Sequence, residues 1–171
     1  MKNRLIAHNG NQNLSIETSI YLTATSMQIT FIIKGALETY VFPQKSQPQR
    51  ANELWKSTCF ELFLGNSQKE AYYELNFSSS LAWNFYYLRS YRAELQELKL
   101  LSEPKISVKE NEEVFKIVFE LETETFSFKD FDSYNVASVL LTKEHECTFW
   151  SLKAFTDVPD FHHQDNFLKI K

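Results

Sequence analysis

Two glutamates, Glu61 and Glu74, lie inside otherwise apolar runs of the sequence, CFELFLG at 59–65 and YYELNF at 72–77. A carboxylate buried among apolar side chains costs several kcal/mol unless it is paired or hydrogen-bonded. These two glutamates are therefore expected to have charged or hydrogen-bonding partners or to face a water-filled cavity. The stretch from Leu54 to Arg92, which contains both, is where a functional site is predicted.

Alternation along these runs assigns each side chain to one face of a strand, because successive residues point to opposite sides. The face expected to meet a second sheet supplies much of the predicted core, which comprises Phe60, Leu62, Leu75, Phe77, Val118 and Leu140. The opposite, outer face is predicted to carry Glu61, Tyr72, Glu74 and Asn76. A face that mixes carboxylates, an amide and aromatic rings suits a polyhydroxylated ligand.

A second concentration of titratable side chains lies near the end of the chain, in the loop DFHHQD at 160–165. Adjacent histidines on an extended backbone point apart, so His162 and His163 do not easily ligate one ion, although a loop with Asp165 could arrange a metal site. The loop could equally be a turn whose aspartates bond backbone donors. The leading prediction has no cofactor.

The loop and the glutamate-bearing strands are predicted to form one site, because a sandwich can bring distant segments side by side. His162 or His163 is then expected to contact Glu61, Glu74 or Arg92. A neighbouring carboxylate would favour the charged imidazole and raise its pKa. For Glu61 and Arg92, a structural ion pair and a functional pair both remain open.

Strand-like segments recur along the chain and predict the elements that position these residues. Residues 14–24 and 27–34 form a predicted hairpin, 37–42 a strand, and 57–64, 71–79 and 83–91 three consecutive antiparallel strands. Residues 92–101 fit a short helix or an irregular loop. A hairpin at 105–111 and 114–122, late strands at 134–144 and 147–155, the loop 157–166 and a last strand at 167–170 complete the prediction.

About ten short strands with almost no helical pattern predict an all-β fold, an antiparallel β-sandwich of two twisted sheets. No repeat or linker divides the 171 residues, so one domain over 1–171 is expected. Aromatic residues make up 15% of the chain, which also favours strands. Cys59 and Cys147 are interpreted as small buried apolar residues.

Composition and charge narrow the classes of partner. A net charge of -4 without a basic cluster argues against nucleic-acid binding. No apolar run is long enough to span a membrane, and the N-terminus lacks the apolar core of a signal peptide, so a cytoplasmic location is expected. A homodimer stays open, and an exposed aromatic patch would favour it.

Three runs together resemble a known family: LWKSTCFELFLG, then YYELNFSSSLAWNFYYLRSYR, and near the end FWSLK with PDFHHQDNF. They are similar to DOMON-like domains related to family nine carbohydrate-binding modules, over residues 14–171. The resemblance implies a jelly-roll β-sandwich whose relatives bind sugars or, in some branches, haem. For a haem it implies a Met and a His as the two axial ligands, which Met27 with His162 or His163 could supply. The positions that match the family pattern are Trp55, Cys59, Glu61, Glu74, Asn76, Trp83, Tyr91, Arg92, Trp150, Asp160, Phe161, His162, His163 and Asp165.

In the sugar-binding relatives, aromatic rings stack on a pyranose while polar groups bond its hydroxyls. The resemblance therefore implies stacking by Trp55, Trp83 and Trp150, although two of these three tryptophans are expected in the core, where sandwiches usually bury them. The residues that would bond the ligand are Glu61, Glu74, Asn76, Arg92, His162, His163 and Asp165.

The leading prediction is a non-catalytic domain that binds a carbohydrate or a similar small polyhydroxylated molecule. Clustered carboxylates favour a neutral or cationic ligand over a polyanion. One alternative is a glycoside-active or other small hydrolytic enzyme that uses Glu61 and Glu74 as its carboxylate pair. A haem-binding domain and a protein-interaction domain are the others. No nucleophile elbow, glycine-rich phosphate loop or metalloprotease motif supports an enzyme.

Overall fold

The computed structural model describes residues 1–9, 13–153 and 159–171 and consists of strands with four short 3-10 helices. The strands are β1 (Lys2–Arg4), β2 (Ile6–Ala7), β3 (Leu14–Leu22), β4 (Ser26–Gly35), β5 (Gln49–Arg50), β6 (Cys59–Gly65), β7 (Tyr72–Phe77), β8 (Ala82–Leu88), β9 (Gln96–Glu97), β10 (Lys105–Glu110), β11 (Val114–Glu122), β12 (Ser133–Leu141), β13 (Cys147–Ser151) and β14 (Leu168–Lys169). The 3-10 helices are Leu37–Thr39, Leu54–Lys56, Phe128–Asp130 and Gln164–Asn166. The predicted all-β class is confirmed.

The smaller sheet has five antiparallel strands in the order β1-β3-β4-β11-β10. Both of its predicted hairpins are present, and side chains fix their turns. The Thr23 hydroxyl accepts the backbone N–H of Ser26 at 2.9 Å, and Asn111 Oδ1 accepts that of Val114 at 2.8 Å. Such local bonds satisfy backbone donors where the ladder ends.

The larger sheet has nine strands, with β2-β13-β12-β6-β7-β8-β5 in order, β14 beside β12 and β9 beside β8. Its centre is the predicted run of three consecutive antiparallel strands, β6-β7-β8. One pairing departs from the antiparallel pattern, since β5 runs parallel to β8. The edge strands β1, β2, β5 and β9, which have three residues or fewer, were not predicted because such segments are too short for a period-two pattern.

The core lies between the two sheets and is rich in phenylalanine. Five of the six predicted core residues are fully buried there, and Val118 is the exception. On β11 the buried side chains are those of Phe115, Ile117, Phe119 and Leu121, so Val118 lies on the outer face with Lys116 and Glu120. The prediction was wrong because apolar residues occupy both faces of this strand.

Two other segments differ from expectation or resolve an open alternative. Residues 37–42, predicted as a strand, form a 3-10 turn followed by a single bridge between Tyr40 and Thr142. Residues 92–101 are irregular apart from β9, so the loop alternative is correct. The predicted strand at 147–155 ends at Ser151, and residues 154–158 lie outside the described ranges. No helix in the described ranges is long and apolar enough to cross a membrane.

Candidate ligand-binding site

The outer face of the larger sheet is not open to solvent but carries a second cluster of buried side chains. Phe63, Tyr72 and Tyr86 belong to it, and Trp55 and Phe167 pack against it from the connecting segments. The period-two pattern that directs Phe60 and Leu62 to the core directs Phe63 to this face. The face therefore has apolar surroundings, in which polar side chains are desolvated.

A cavity of about 690 Å³ lies against this outer face. The strands contribute Glu61, Glu74, Leu88, Val139 and Phe149 to its lining. Connecting segments contribute Trp55, Arg92, Leu95, Pro159, Phe161 and His162. The strand residues and the loop at 160–165, called the late loop below, thus lie at one cavity, as the sequence predicted.

The two glutamates at this cavity are almost completely buried, each with 3% of its surface exposed. Glu61 lies opposite Asn76 in the β6–β7 ladder, and Glu74 is two residues from Asn76 on the same face. Asn76 Nδ2 donates to Glu74 Oε1 at 2.8 Å. The other oxygens, Glu74 Oε2 and Asn76 Oδ1, have no hydrogen-bond partner among the described residues.

The electrostatics of the carboxyl pair follow from this burial. Desolvation raises the pKa of Glu61 well above its usual range, and the charge of Glu74 raises it further. Desolvation also raises the pKa of Glu74, to about 7, although the Asn76 bond and Arg92 favour its charged form. The pair therefore takes up protons near neutral pH, where isolated glutamates are charged.

His162 confirms the predicted contact between the late loop and the strands. Its Nδ1 lies 3.9 Å from Glu74 Oε2 and 2.7 Å from the Tyr72 hydroxyl oxygen. The same hydroxyl oxygen accepts the backbone N–H of Arg92 at 3.2 Å.

The predicted rise in the histidine pKa was wrong. Burial, together with the positive charge of Arg92, lowers the pKa of His162 to about 4. Desolvation outweighs the nearby carboxyl group, which burial also drives toward its neutral form. The imidazole is therefore neutral at pH 7.

Arg92 pairs with Asp160 rather than with Glu61, which corrects the ion pair considered from the sequence. The guanidinium Nη2 lies 3.2 Å from Asp160 Oδ1, and the Tyr91 hydroxyl donates to Asp160 Oδ2 at 2.5 Å. Burial opposes the charge of Asp160, but these hydrogen bonds and that from the His162 N–H outweigh it and lower its pKa. Asp160 thereby joins the segment after β8 to the late loop beside the cavity.

The three tryptophans predicted to stack on a ligand lie in two different places. Trp55 lines the cavity and meets Tyr86 edge-on, with ring centroids 6.5 Å apart. Trp83 and Trp150 are buried in the core between the sheets, as expected for two of the three, so they do not line the cavity. The alternation of side chains along β8 explains the burial of Trp83, which shares its face with Phe85, another core residue.

His163 and Asp165 also lie away from the cavity. Their side chains are 3.6 Å apart and exposed, at a separate shallow depression that Glu70 and Tyr91 share. Met27 is buried in the core while His162 lies over the outer face, so the haem ligand pair considered from the sequence is not brought together. Among the described residues, no group of three or more His, Cys, Asp or Glu is placed to hold a metal ion.

Several lining residues were missed from the sequence. Phe149 could have been predicted from the alternation of side chains along β13, because the pattern that directs Trp150 into the core directs its neighbour to the outer face. The same holds for Val139, which lies opposite Cys59 on the outer face. Leu95 and Phe161 belong to irregular segments, where no periodicity marks a side chain as lining a cavity.

Comparison with known proteins shows the fold. No protein-family model and no curated protein matches the chain. The chain is similar to the crystal structure of a protein from Bacteroides uniformis that is provisionally named as carbohydrate-binding. The two share 14% sequence identity with a TM-score of 0.68, over 98% of this chain and 84% of the other. At this identity the likeness shows the sandwich architecture.

Proposed function

We propose that this domain binds a carbohydrate or a similar small polyhydroxylated molecule in the cavity on the outer face of the larger sheet. The observation that carries the proposal is the set of buried, unpartnered oxygen atoms at the cavity. Glu74 Oε2 and the adjacent Asn76 Oδ1 have no hydrogen-bond partner among the described residues, and the 3% exposed Glu61 carboxyl group lines the same cavity. Leaving such groups unpaired costs about 1–3 kcal/mol each, a cost that ligand hydroxyl groups would remove.

The rest of the lining supports the same class of ligand. Trp55, Phe149 and Phe161 give the cavity aromatic and apolar surface. The apolar face of a sugar ring packs on such side chains while its hydroxyls bond the carboxyl groups. The volume of about 690 Å³ lies within the range of small-molecule sites.

Two similarities add support. The Bacteroides uniformis protein with this architecture is itself provisionally named for carbohydrate binding. The runs around Glu61, Glu74 and the late loop resemble DOMON-like domains related to family nine carbohydrate-binding modules. We assign the chain to that group on these motifs, as a binding domain without catalysis.

Titration calorimetry against a panel of mono- and oligosaccharides tests the proposal. We expect saturable binding of at least one saccharide, and the variant Trp55→Ala should weaken it roughly fivefold or more because an aromatic contact is worth about 1 kcal/mol or more. Tyr21→Ala is the matched control, since this exposed tyrosine lies on the smaller sheet. Absence of saturable binding across the panel, or equal losses in the two variants, would contradict the proposal.

A further inference from the structure

The cavity has an excess of negative groups that its own residues do not balance. Among the described residues that line it, Glu61, Glu74 and Glu94 carry carboxyl groups and Arg92 alone carries a permanent positive charge. The Arg92 guanidinium is bound to Asp160. His162 is neutral because burial holds its pKa at about 4. A buried acidic pair without a counter-charge is costly.

The two segments outside the described ranges contain no positively charged residue. Residues 10–12 are GNQ and residues 154–158 are AFTDV, and neither segment contains lysine or arginine. Beyond the partial compensation by Arg92, which favours the charged form of Glu74, protons or a ligand are the remaining sources of counter-charge.

Once the carboxyl groups have lost their protons, the unpartnered atoms at the pair are all hydrogen-bond acceptors. Glu74 Oε2 is buried without a partner, and so is Asn76 Oδ1 beside it. The Glu61 carboxyl group, 3% exposed, lines the same cavity. Glu61 and Glu74 lie on the same face of neighbouring strands, diagonally across the ladder, where side chains are roughly 7–8 Å apart or less. One donor-rich group can reach both carboxyl groups at this separation.

We propose that the ligand carries a primary ammonium group, which donates hydrogen bonds to Glu61 and Glu74 while the rest of the polyhydroxylated molecule fills the cavity. An ammonium has three donors and no acceptor, which complements a site of unpaired acceptors. Trp55 in the same cavity adds an aromatic ring that can attract a cation. This inference rests on the proposed function and narrows its substrate class to polyhydroxylated amines such as amino sugars.

Binding should be linked to proton release. Without ligand, the carboxyl pair holds protons near neutral pH because burial raises both pKa values. An ammonium favours the charged carboxylates, so a carboxyl proton leaves to the buffer as the amine binds. Calorimetry in buffers of different ionisation enthalpy measures that proton directly.

The test uses matched pairs of ligands in an amine-free buffer at about pH 7. Glucosamine, galactosamine and mannosamine are each compared with the parent sugar, and cyclohexylamine with cyclohexanol. We expect at least one amino sugar to bind roughly tenfold or more tightly than its parent, with proton release. The variant Glu74→Gln should remove most of this preference, while Glu70→Gln, an exposed site outside the cavity, should leave it unchanged.

The possible outcomes separate the two proposals. Equal or tighter binding of the parent sugars would overturn the ammonium site and leave carbohydrate binding in place. Binding of cyclohexylamine without any saccharide would support the ammonium site and overturn carbohydrate binding. Failure of every amine to bind overturns the ammonium site, whatever the neutral sugars do.

Discussion

Replacing Glu74 with glutamine is expected to stabilise the folded protein by on the order of 3 kcal/mol above about pH 7. Burial raises the pKa of this carboxyl group to about 7 from its ordinary value of 4.5. Glutamine resembles the protonated acid, which the site prefers, and avoids the cost of burying the charge. The titratable and charged groups that interact with Glu74 are Cys59, Glu61, Tyr72, Tyr86, Arg92 and His162.

The sign of the pH dependence follows from proton binding. Between about pH 4.5 and about pH 7, the folded state holds more protons at Glu74 than the unfolded chain does, so the free energy of unfolding falls as the pH rises. Glu61 acts in the same direction, since its pKa is also raised. The native protein should therefore be more stable at about pH 5 than at about pH 8 as far as this pair is concerned.

Urea unfolding of the native protein and of Glu74→Gln at about pH 5 and about pH 8 measures the effect. The stabilisation by the substitution should be large at the higher pH and small at the lower. Glu17→Gln, an exposed glutamate on β3, is the matched control and should change little at either pH. A Glu74→Gln variant that is less stable at the higher pH would contradict the burial of an unpaired carboxylate.

Truncation of Phe60 to alanine is expected to cost about 3–5 kcal/mol of unfolding free energy. Its fully buried ring lies between the sheets, with centroid distances of 5.0 Å to Phe31, 5.7 Å to Phe77 and 5.9 Å to Phe115. These neighbours come from both sheets, so the cavity left by truncation has walls that cannot easily collapse.

The matched control for Phe60 is Val118→Ala on the outer face of β11. This half-buried valine should cost less than about 1 kcal/mol when truncated, because it lies outside the core. Chemical unfolding of both variants gives the comparison. Similar losses in the two would contradict the assignment of faces on β6 and β11.

The strand pattern was enough to predict the part of the site that lies on the central strands. On β6 and β7, strict alternation separates Phe60, Leu62 and Leu75 from Glu61 and Glu74, and the structure follows it. On β11 apolar residues lie on both faces, so apolar character alone does not place Val118, whereas its polar neighbours Lys116 and Glu120 mark its face as the outer one.

The type of a residue predicted its role less well than its position in the alternation of side chains along a strand. Trp83 and Trp150 suggested stacking on a ligand, yet their positions on β8 and β13 direct them into the core. Trp55 lies in an irregular segment and lines the cavity instead. Large aromatic side chains serve both purposes, so only their placement distinguishes the two.

The pKa shifts at the site could not be predicted from the sequence, because they depend on which loops cover the outer face of the larger sheet and exclude water from it. His162 met Glu74 as expected, but its pKa falls because the surrounding side chains exclude water from both groups. The pairing of Arg92 with Asp160 joins residues far apart in the chain, and no local pattern marks it. Local periodicity reports the face of a strand, not which loops cover that face.

The most direct test of the binding site is a saccharide titration, with amino sugars included, followed by the three tryptophan indole N–H resonances in a ¹⁵N–¹H spectrum. Trp55 lines the cavity, whereas Trp83 and Trp150 are buried in the core and serve as internal controls. Substitution of Trp55 by phenylalanine assigns its signal. We predict a saturable shift of the Trp55 resonance with little change in the other two, and saturable binding that leaves the Trp55 resonance unmoved would contradict the cavity as the ligand site.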